Sequence, residues 1–227
     1  MIIQFSFSSI KTYEQCPKKY YHTKVVKDHV DEGGAEANYG LDVHAAAEEH
    51  TKTGAPIPKK FEYMRPIMDV LDAIPGEHHA EVKFGLRKKL DGRYVAVDFE
   101  DPKRWYRGIA DLLVVNEPKH TAFCVDYKTG KSAKYADLKQ LDLLAGAVFV
   151  HYPQVMLVKS ALLYVVSGEF VKKDHVRTDM SQYLGVFDRQ LRQLAVSMDT
   201  NVWNAKESGL CPWCPVKSCP HWRPKRR

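Results

Sequence analysis

Arg107-Gly-Ile-Ala-Asp111-Leu-Leu-Val-Val115 is followed, across Asn116-Glu-Pro-Lys-His120, by Thr121-Ala-Phe-Cys124-Val-Asp126-Tyr-Lys128. Both outer stretches are apolar and β-branched enough to read as strands, and the intervening residues suit a tight antiparallel connection. If Val115 pairs with Ala122, the same register sets Asp111 opposite Asp126, where cross-strand Cβ atoms stand about 5 Å apart. Two carboxylates that close, among apolar neighbours, repel and are poorly solvated unless a cation lies between them. Lys128, two residues beyond Asp126, shares its face about 7 Å further along, within reach of a phosphate held at such a cation. Oxygen ligands of this kind suit Mg²⁺ or Mn²⁺, which polarise a phosphodiester and acidify a bound water. The plainer alternative is a strand-end ion pair of Asp126 with Lys128 and a turn role for Asp111.

Around this centre the pattern alternates between helix and strand. Helices are expected over 8–16, with a serine cap, an apolar stripe at Ile10 and Tyr13, and a stop at Pro17; over 38–51, carrying His44 and Glu48 one turn apart; and over 61–73, beginning nearer Met64 because Pro66 suits a first turn. Further helices are expected over 134–150 and 180–198. Residues 52–60 read as a loop, and Pro75-Gly76 as a stop. Strands are expected near 80–86, 93–99, 104–115, 121–128 and 161–166, which together give an α/β core.

At 227 residues and 44% apolar content, the chain suits one large domain. It has no long apolar run of membrane-spanning character, and Met1-Ile-Ile-Gln lacks the features of a signal peptide. An intracellular, cytoplasmic protein with no membrane partner is expected, in the host-cell cytoplasm if the source is viral. The formal charge is +6, with basic clusters at Lys18-Lys19, Lys59-Lys60, Arg87-Lys88-Lys89, Lys172-Lys173 and Arg223-Pro-Lys225-Arg226-Arg227. Interleaved with aromatic residues, these suit a nucleic-acid partner, although a modest positive balance is also common in proteins that never meet one.

The five cysteines are odd in number and clustered, which points to metal ligation in a reducing compartment rather than to disulfides. Cys211-Pro-Trp-Cys214-Pro-x3-Cys219 supplies three thiolates where a tetrahedral zinc or an iron–sulfur cluster needs four. Cys16 is the expected fourth, tying the two ends of the chain together. Spacing alone favours zinc, and His22 or His221 keeps a Cys₃His site open. Cys124 reads as a small buried residue.

Taken together, Gly108-x-x-Asp111 and Asp126-x-Lys128 resemble the core of the PD-(D/E)XK nuclease superfamily, specifically its RecB-like branch. Gly40-x3-His44-x3-Glu48 resembles that branch's histidine motif, Gln140 falls where the branch has a glutamine, and Ser8-Ser9-x3-Tyr13-x2-Cys16-Pro17-x2-Tyr20 resembles its opening segment. With the cysteine tail, nearly the whole chain is similar to the CRISPR-associated iron–sulfur exonuclease family and to cluster-containing helicase–nuclease subunits. The resemblance implies a single nuclease domain over 1–227, with a central mixed sheet flanked by helices. In it, 1–30 and 205–227 would form the cluster-binding region.

The resemblance also implies roles. His44, Asp111, Asp126 and the Tyr127 carbonyl would hold Mg²⁺ or Mn²⁺, and Glu81 resembles a strand glutamate with a role at a second metal. Lys128 would activate the attacking water and stabilise phosphate charge, and Gln140 would hold Lys128 or the substrate. Cys16, Cys211, Cys214 and Cys219 would ligate a [4Fe–4S] cluster of structural purpose. Two departures stand out: Leu144 occupies the place of a DNA-gripping tyrosine, and Asp126 stands where many relatives have glutamate. The function so implied is a metal-dependent DNA exonuclease acting on single strands or free ends. A non-catalytic DNA-binding or adaptor protein with a structural iron–sulfur or zinc site is the alternative, and an iron–sulfur redox protein a third.

Overall fold

A computed structural model describes residues 3–31 and 33–224. Lys225, Arg226 and Arg227, part of the basic tail expected to steer a nucleic-acid strand, lie outside the described residues. The chain divides into two compact units, one of residues 35–186 and one of 1–34 with 187–227.

In the larger unit, strands β1 (Glu77–Lys88), β2 (Tyr94–Val97), β3 (Tyr106–Asn116), β4 (Thr121–Lys128), β5 (Leu157–Tyr164) and β6 (Glu169–Val176) form one mixed sheet in the order β2-β1-β3-β4-β5-β6. Only β4 and β5 run parallel, and helix α5 (Lys139–His151) is the crossover between them. Val115 pairs with Ala122, as the opening stretch requires. The period-2 alternation then sorts the side chains. Leu112, Val114, Val125, Tyr127 and Leu163 face helices α3 (Ala35–Thr53) and α4 (Arg65–Asp72), where Val43, Ala47, Met68 and Leu71, with Met64 just ahead of α4, complete a core. Leu162 and Tyr164 face the other way, onto Leu141 of α5.

Helix α5 is buried along Leu141–Phe149, and its far side receives the short helix α6 (Met180–Leu184) so closely that a Cβ on Gly146 would meet Leu184 Cδ2 at 2.6 Å. At Pro75-Gly76 the turn is sterically demanding: Gly76 has φ 147°, and a Cβ there would meet the Val115 carbonyl at 2.6 Å.

The structure corrects several expected boundaries. The expected 61–73 helix is a 3-10 segment, Lys59–Met64, followed by α4 from Arg65, with Pro66 in the first turn. Helix α5 starts at Lys139 rather than 134, because Asp137 Oδ1 accepts from the Lys139 amide at 3.1 Å and opens the helix there. The expected 180–198 helix is two helices, since the Gly185 amide folds back to the Ser181 and Gln182 carbonyls and ends α6. Strand β5 begins at Leu157, ahead of the expected 161. Strand β6 was not anticipated; it is an edge strand whose lysines and exposed residues hide the alternation, with only His175 buried in it.

In the smaller unit, α1 (Phe7–Gln15) opens with a capping box between Ser6 and Ser9 and buries Ile10 and Tyr13. Tyr13 Oη hydrogen-bonds Ser197 Oγ at 2.9 Å on α7 (Asp188–Thr200), and Gln190 of α7 donates to Glu14 at 2.6 Å. Pro17 ends α1 and starts α2 (Pro17–Tyr20), which runs into one turn of π-helix, Tyr21–Val25. Tyr20 stacks on Trp203. Among the described residues no helix is long and apolar enough to cross a membrane.

Candidate active site

Adjacent strands bring three carboxylates into one row. The β3–β4 ladder ends at Leu112–Val125, one rung before Asp111 and Asp126. At that open end the Tyr127 amide donates to Asp111 Oδ2 at 2.5 Å, so a side-chain oxygen stands where a strand carbonyl would otherwise accept. On the other side of β3, Ala80 pairs with Leu112 and Val82 with Ala110, which leaves Glu81 opposite Asp111. Glu81 has φ 52°, a left-handed backbone in mid-strand that a non-glycine residue adopts only at a cost of about 1 kcal/mol or more.

His44 reaches this row from α3. Its Nδ1 lies 3.1 Å from Asp111 Oδ1 and 4.0 Å from Glu81 Oε1, and its ring meets Tyr127 edge-on at 5.9 Å. From α5, Gln140 bridges the remaining pair: its Nε2 donates to Asp126 Oδ1 at 2.5 Å and its Oε1 accepts from Lys128 Nζ at 2.9 Å. Lys128 Nζ also stands 2.6 Å from Asp126 Oδ2 as an ion pair. The strand-end ion pair considered as the plainer alternative therefore exists, and it is embedded in a larger constellation.

Burial pushes the Asp126 carboxyl up to about 6, with Lys128 opposing and Asp111 reinforcing the shift. Glu81 is raised by burial and then by the charges of Asp111 and Glu48. His44 is raised too: burial works against its charged form, but the Asp111 bond and the charges of Asp111, Asp126 and Glu81 outweigh it. Glu81 and Asp111 converge on one imidazole with no lysine or arginine paired to either among the described residues, whereas Asp126 has Lys128 and Gln140 as partners. A divalent cation fits that donor set, with His44, Glu81 and Asp111 able to offer ligand atoms all within 4.8 Å of one another.

Other expected residues are placed plainly. Glu48 accepts from Lys52 at 2.5 Å, and Tyr127 contributes its amide to Asp111. Gly108 has a steric reason, for a Cβ there would meet Tyr106 Oη at 2.2 Å. Leu144 and Cys124 are buried. Asp142 and His175 were not anticipated. His175 Nε2 lies 2.8 Å and Lys173 Nζ 2.6 Å from Asp142 Oδ1, while Ser160 Oγ lies 3.2 Å from His175 Nδ1. This buried network anchors α5, two residues beyond Gln140, to β5 and β6. Its only sequence signal is a lone acid inside the apolar run Leu141-Asp-Leu-Leu-Ala-Gly-Ala. Several basic residues expected to face phosphates have acidic partners instead: Lys19 pairs with Asp31, Lys60 with Asp42 and Arg87 with Asp101.

In the smaller unit, Cys16, Cys211, Cys214 and Cys219 line one pocket with His221, whereas His22 bonds Asp28 instead. The Lys206 and Ser208 amides donate to Cys16 Sγ and Cys211 Sγ, each at 3.4 Å. Among the described residues, no three of these thiols lie within 4.8 Å of one another, so they do not form a closed single-ion cluster.

A six-stranded mixed sheet with helices on both faces, carrying carboxylates and a lysine at the open end of its central strands, defines a nuclease-type α/β protein. The sequence model of the PD-(D/E)XK nuclease superfamily matches residues 4–220, and the chain belongs to that superfamily. Among solved structures the chain is similar to one titled "Crystal structure of SSO0001", at 13% identity and a TM-score of 0.41, covering 97% of this chain and 87% of that one. No curated protein matches it.

Proposed function

We propose that this nuclease is a RecB-like, Mg²⁺- or Mn²⁺-dependent deoxyribonuclease that removes nucleotides from single-stranded DNA or exposed ends. The observation that carries the reading is Gln140 holding Asp126 and Lys128 together while His44 converges on Asp111 one strand away. In this reading His44 and Asp111, with Glu81 in reach and Asp126 on the neighbouring strand, would hold a divalent cation, which would supply charge stabilisation and acidify a bound water. Lys128, fixed by the Gln140 carbonyl, presents an ammonium to a non-bridging phosphate oxygen and stabilises the charge that develops during in-line attack. Gln140 sets the spacing between that ammonium and the Asp126 carboxylate. Exposed pairs such as Lys60–Asp42 are weak enough to be exchanged for phosphate contacts.

Cys16, Cys211, Cys214 and Cys219 hold a [4Fe–4S] cluster in this reading, with zinc as the alternative. Four thiolates about 2.3 Å from one zinc would stand roughly 3.8 Å apart. A cuboid of irons and sulfides keeps them further apart; what supports a shared site is that all four cysteines line one pocket, with backbone amides directed at two of the sulfurs. Five cysteines, odd in number and clustered, suit metal ligation in an intracellular, reducing setting.

Asp126→Ala and Lys128→Ala are expected to abolish cleavage of labelled single strands while binding to them persists. Full activity in either variant would reject the assignment, and binding without cleavage by the parent chain would favour an adaptor role.

A further inference from the structure

We infer that His22, Asp28 and His29 form a binding site for a divalent transition ion, zinc foremost, made of residues that neither the candidate active site nor the cysteine pocket uses. The chain reverses between these residues through two local irregularities: the π-helical turn Tyr21–Val25 and Lys27, which has a left-handed backbone at φ 60°. The reversal brings residues six and seven positions apart to a common point. His22 Nδ1 lies 3.0 Å from Asp28 Oδ1 and 3.1 Å from Oδ2, and His29 Nδ1 lies 2.9 Å from the same Oδ1. One ligand atom from each residue falls within 4.8 Å of the others.

These spacings are close to what an ion demands. Imidazole nitrogen and carboxylate oxygen bind zinc at about 2.0–2.2 Å, which makes the edges of a tetrahedron about 3.3–3.6 Å. The observed N···O spacings of 2.9–3.1 Å need widen by only a few tenths of an ångström for an ion to take the place of the ring protons. The rings are also braced: Tyr21 packs edge-on against His22 at 5.3 Å, and His22 against His29 at 5.1 Å. The bond from His29 is the main reason the Asp28 carboxyl lies below its ordinary value; desolvation opposes it and His22 adds to it. It is therefore an anion at neutral pH, as a ligand must be.

Two imidazoles with one carboxylate select zinc, nickel, cobalt or iron(II) over magnesium or calcium, which take oxygen donors. Asp28 is exposed enough to leave the remaining coordination positions to water. Such an ion would pin the segment after the π-turn to the turn itself, through His22.

The test is a zinc titration of the full chain against a chromophoric chelator, with the cysteine pocket left as purified, comparing the parent with His29→Ala, Asp28→Asn and the control His50→Ala. The parent and His50→Ala should bind one equivalent more than His29→Ala, and Asp28→Asn should bind that equivalent more weakly. Equal stoichiometry and affinity in parent and His29→Ala would overturn the site. Should His29→Ala fail to fold, ring ¹⁵N spectra of the parent decide. Zinc should shift the Nδ1 signals of His22 and His29, and unchanged signals at saturating zinc would reject the proposal.

Discussion

Glu81 holds a left-handed backbone between two regularly paired neighbours, and at the same point faces Asp111 across the sheet. A strained conformation at a cluster of like charges is expected where function rather than stability has chosen the residue. Replacing it separates the two effects. Glu81→Gly removes the steric penalty and Glu81→Ala retains it, so Glu81→Gly should be the more stable variant by about 1 kcal/mol in urea unfolding. Both should lose nuclease activity if Glu81 serves the cation. Equal stability would show that the strand relaxes on losing the carboxylate. At Gly108 the prediction runs the other way: the Cβ of Gly108→Ala meets Tyr106 Oη at 2.2 Å and Cζ at 2.8 Å, and should cost about 1–3 kcal/mol by overpacking. Tyr106→Phe, which removes the closest atom, should recover part of that loss, as thermal melts of the single and double variants would reveal. The positions of Asp111, Asp126 and Lys128 were legible in the sequence because strand alternation and one assumed pair, Val115–Ala122, fix the rest. The backbone of Glu81 was not legible, since nothing in Ala80-Glu-Val82 demands a left-handed residue.

Helix α5 carries Gln140 to Asp126 and Lys128, and the buried Asp142 anchors that helix to the edge strand through His175 and Lys173. Burial disfavours the Asp142 charge, but the bonds from His175 and Lys173 outweigh it and hold the carboxyl below its ordinary 3.8. A folded-state value below the unfolded one gives stability that is complete above the unfolded value and lost as pH falls through the folded value. Acid destabilisation below about pH 4 should therefore be shallower in Asp142→Asn than in the parent, as read from urea midpoints along a pH series. At neutral pH, Asp142→Ala should cost about 3 kcal/mol, because it leaves buried His175 without its acceptor. The sequence conveyed the long helices and the central strands through their periodicity. It concealed β6, whose Lys172, Lys173 and Asp174 mask a strand that has a partner on one side alone, and it concealed the break at Gly185, where an apolar pattern continues past the end of the helix.

At the scale of the molecule, two units gather two different sets of potential metal-ligating side chains. The larger holds the carboxylates, His44, Lys128 and Gln140; the smaller gathers Cys16 with the three late cysteines around one pocket. That Cys16 would lie near the three late cysteines was legible as arithmetic, one thiol missing from a set of four, and the four do line one pocket. The identity of the metal was not, because zinc and an iron–sulfur cluster share a ligand type and differ in spacing. Protein purified without oxygen should contain about four irons per chain and absorb in the visible. Cys214→Ser should lose both signals, and Cys124→Ser, altered at a buried position outside the pocket, should keep them. Zinc in place of iron would correct the cluster without touching the nuclease site. That site faces its most direct test in the digestion of end-labelled single-stranded DNA with and without Mn²⁺. The account predicts cation-dependent shortening from an end by the parent chain and none by Lys128→Ala; cleavage that survives chelation, or persists in Lys128→Ala, would contradict it.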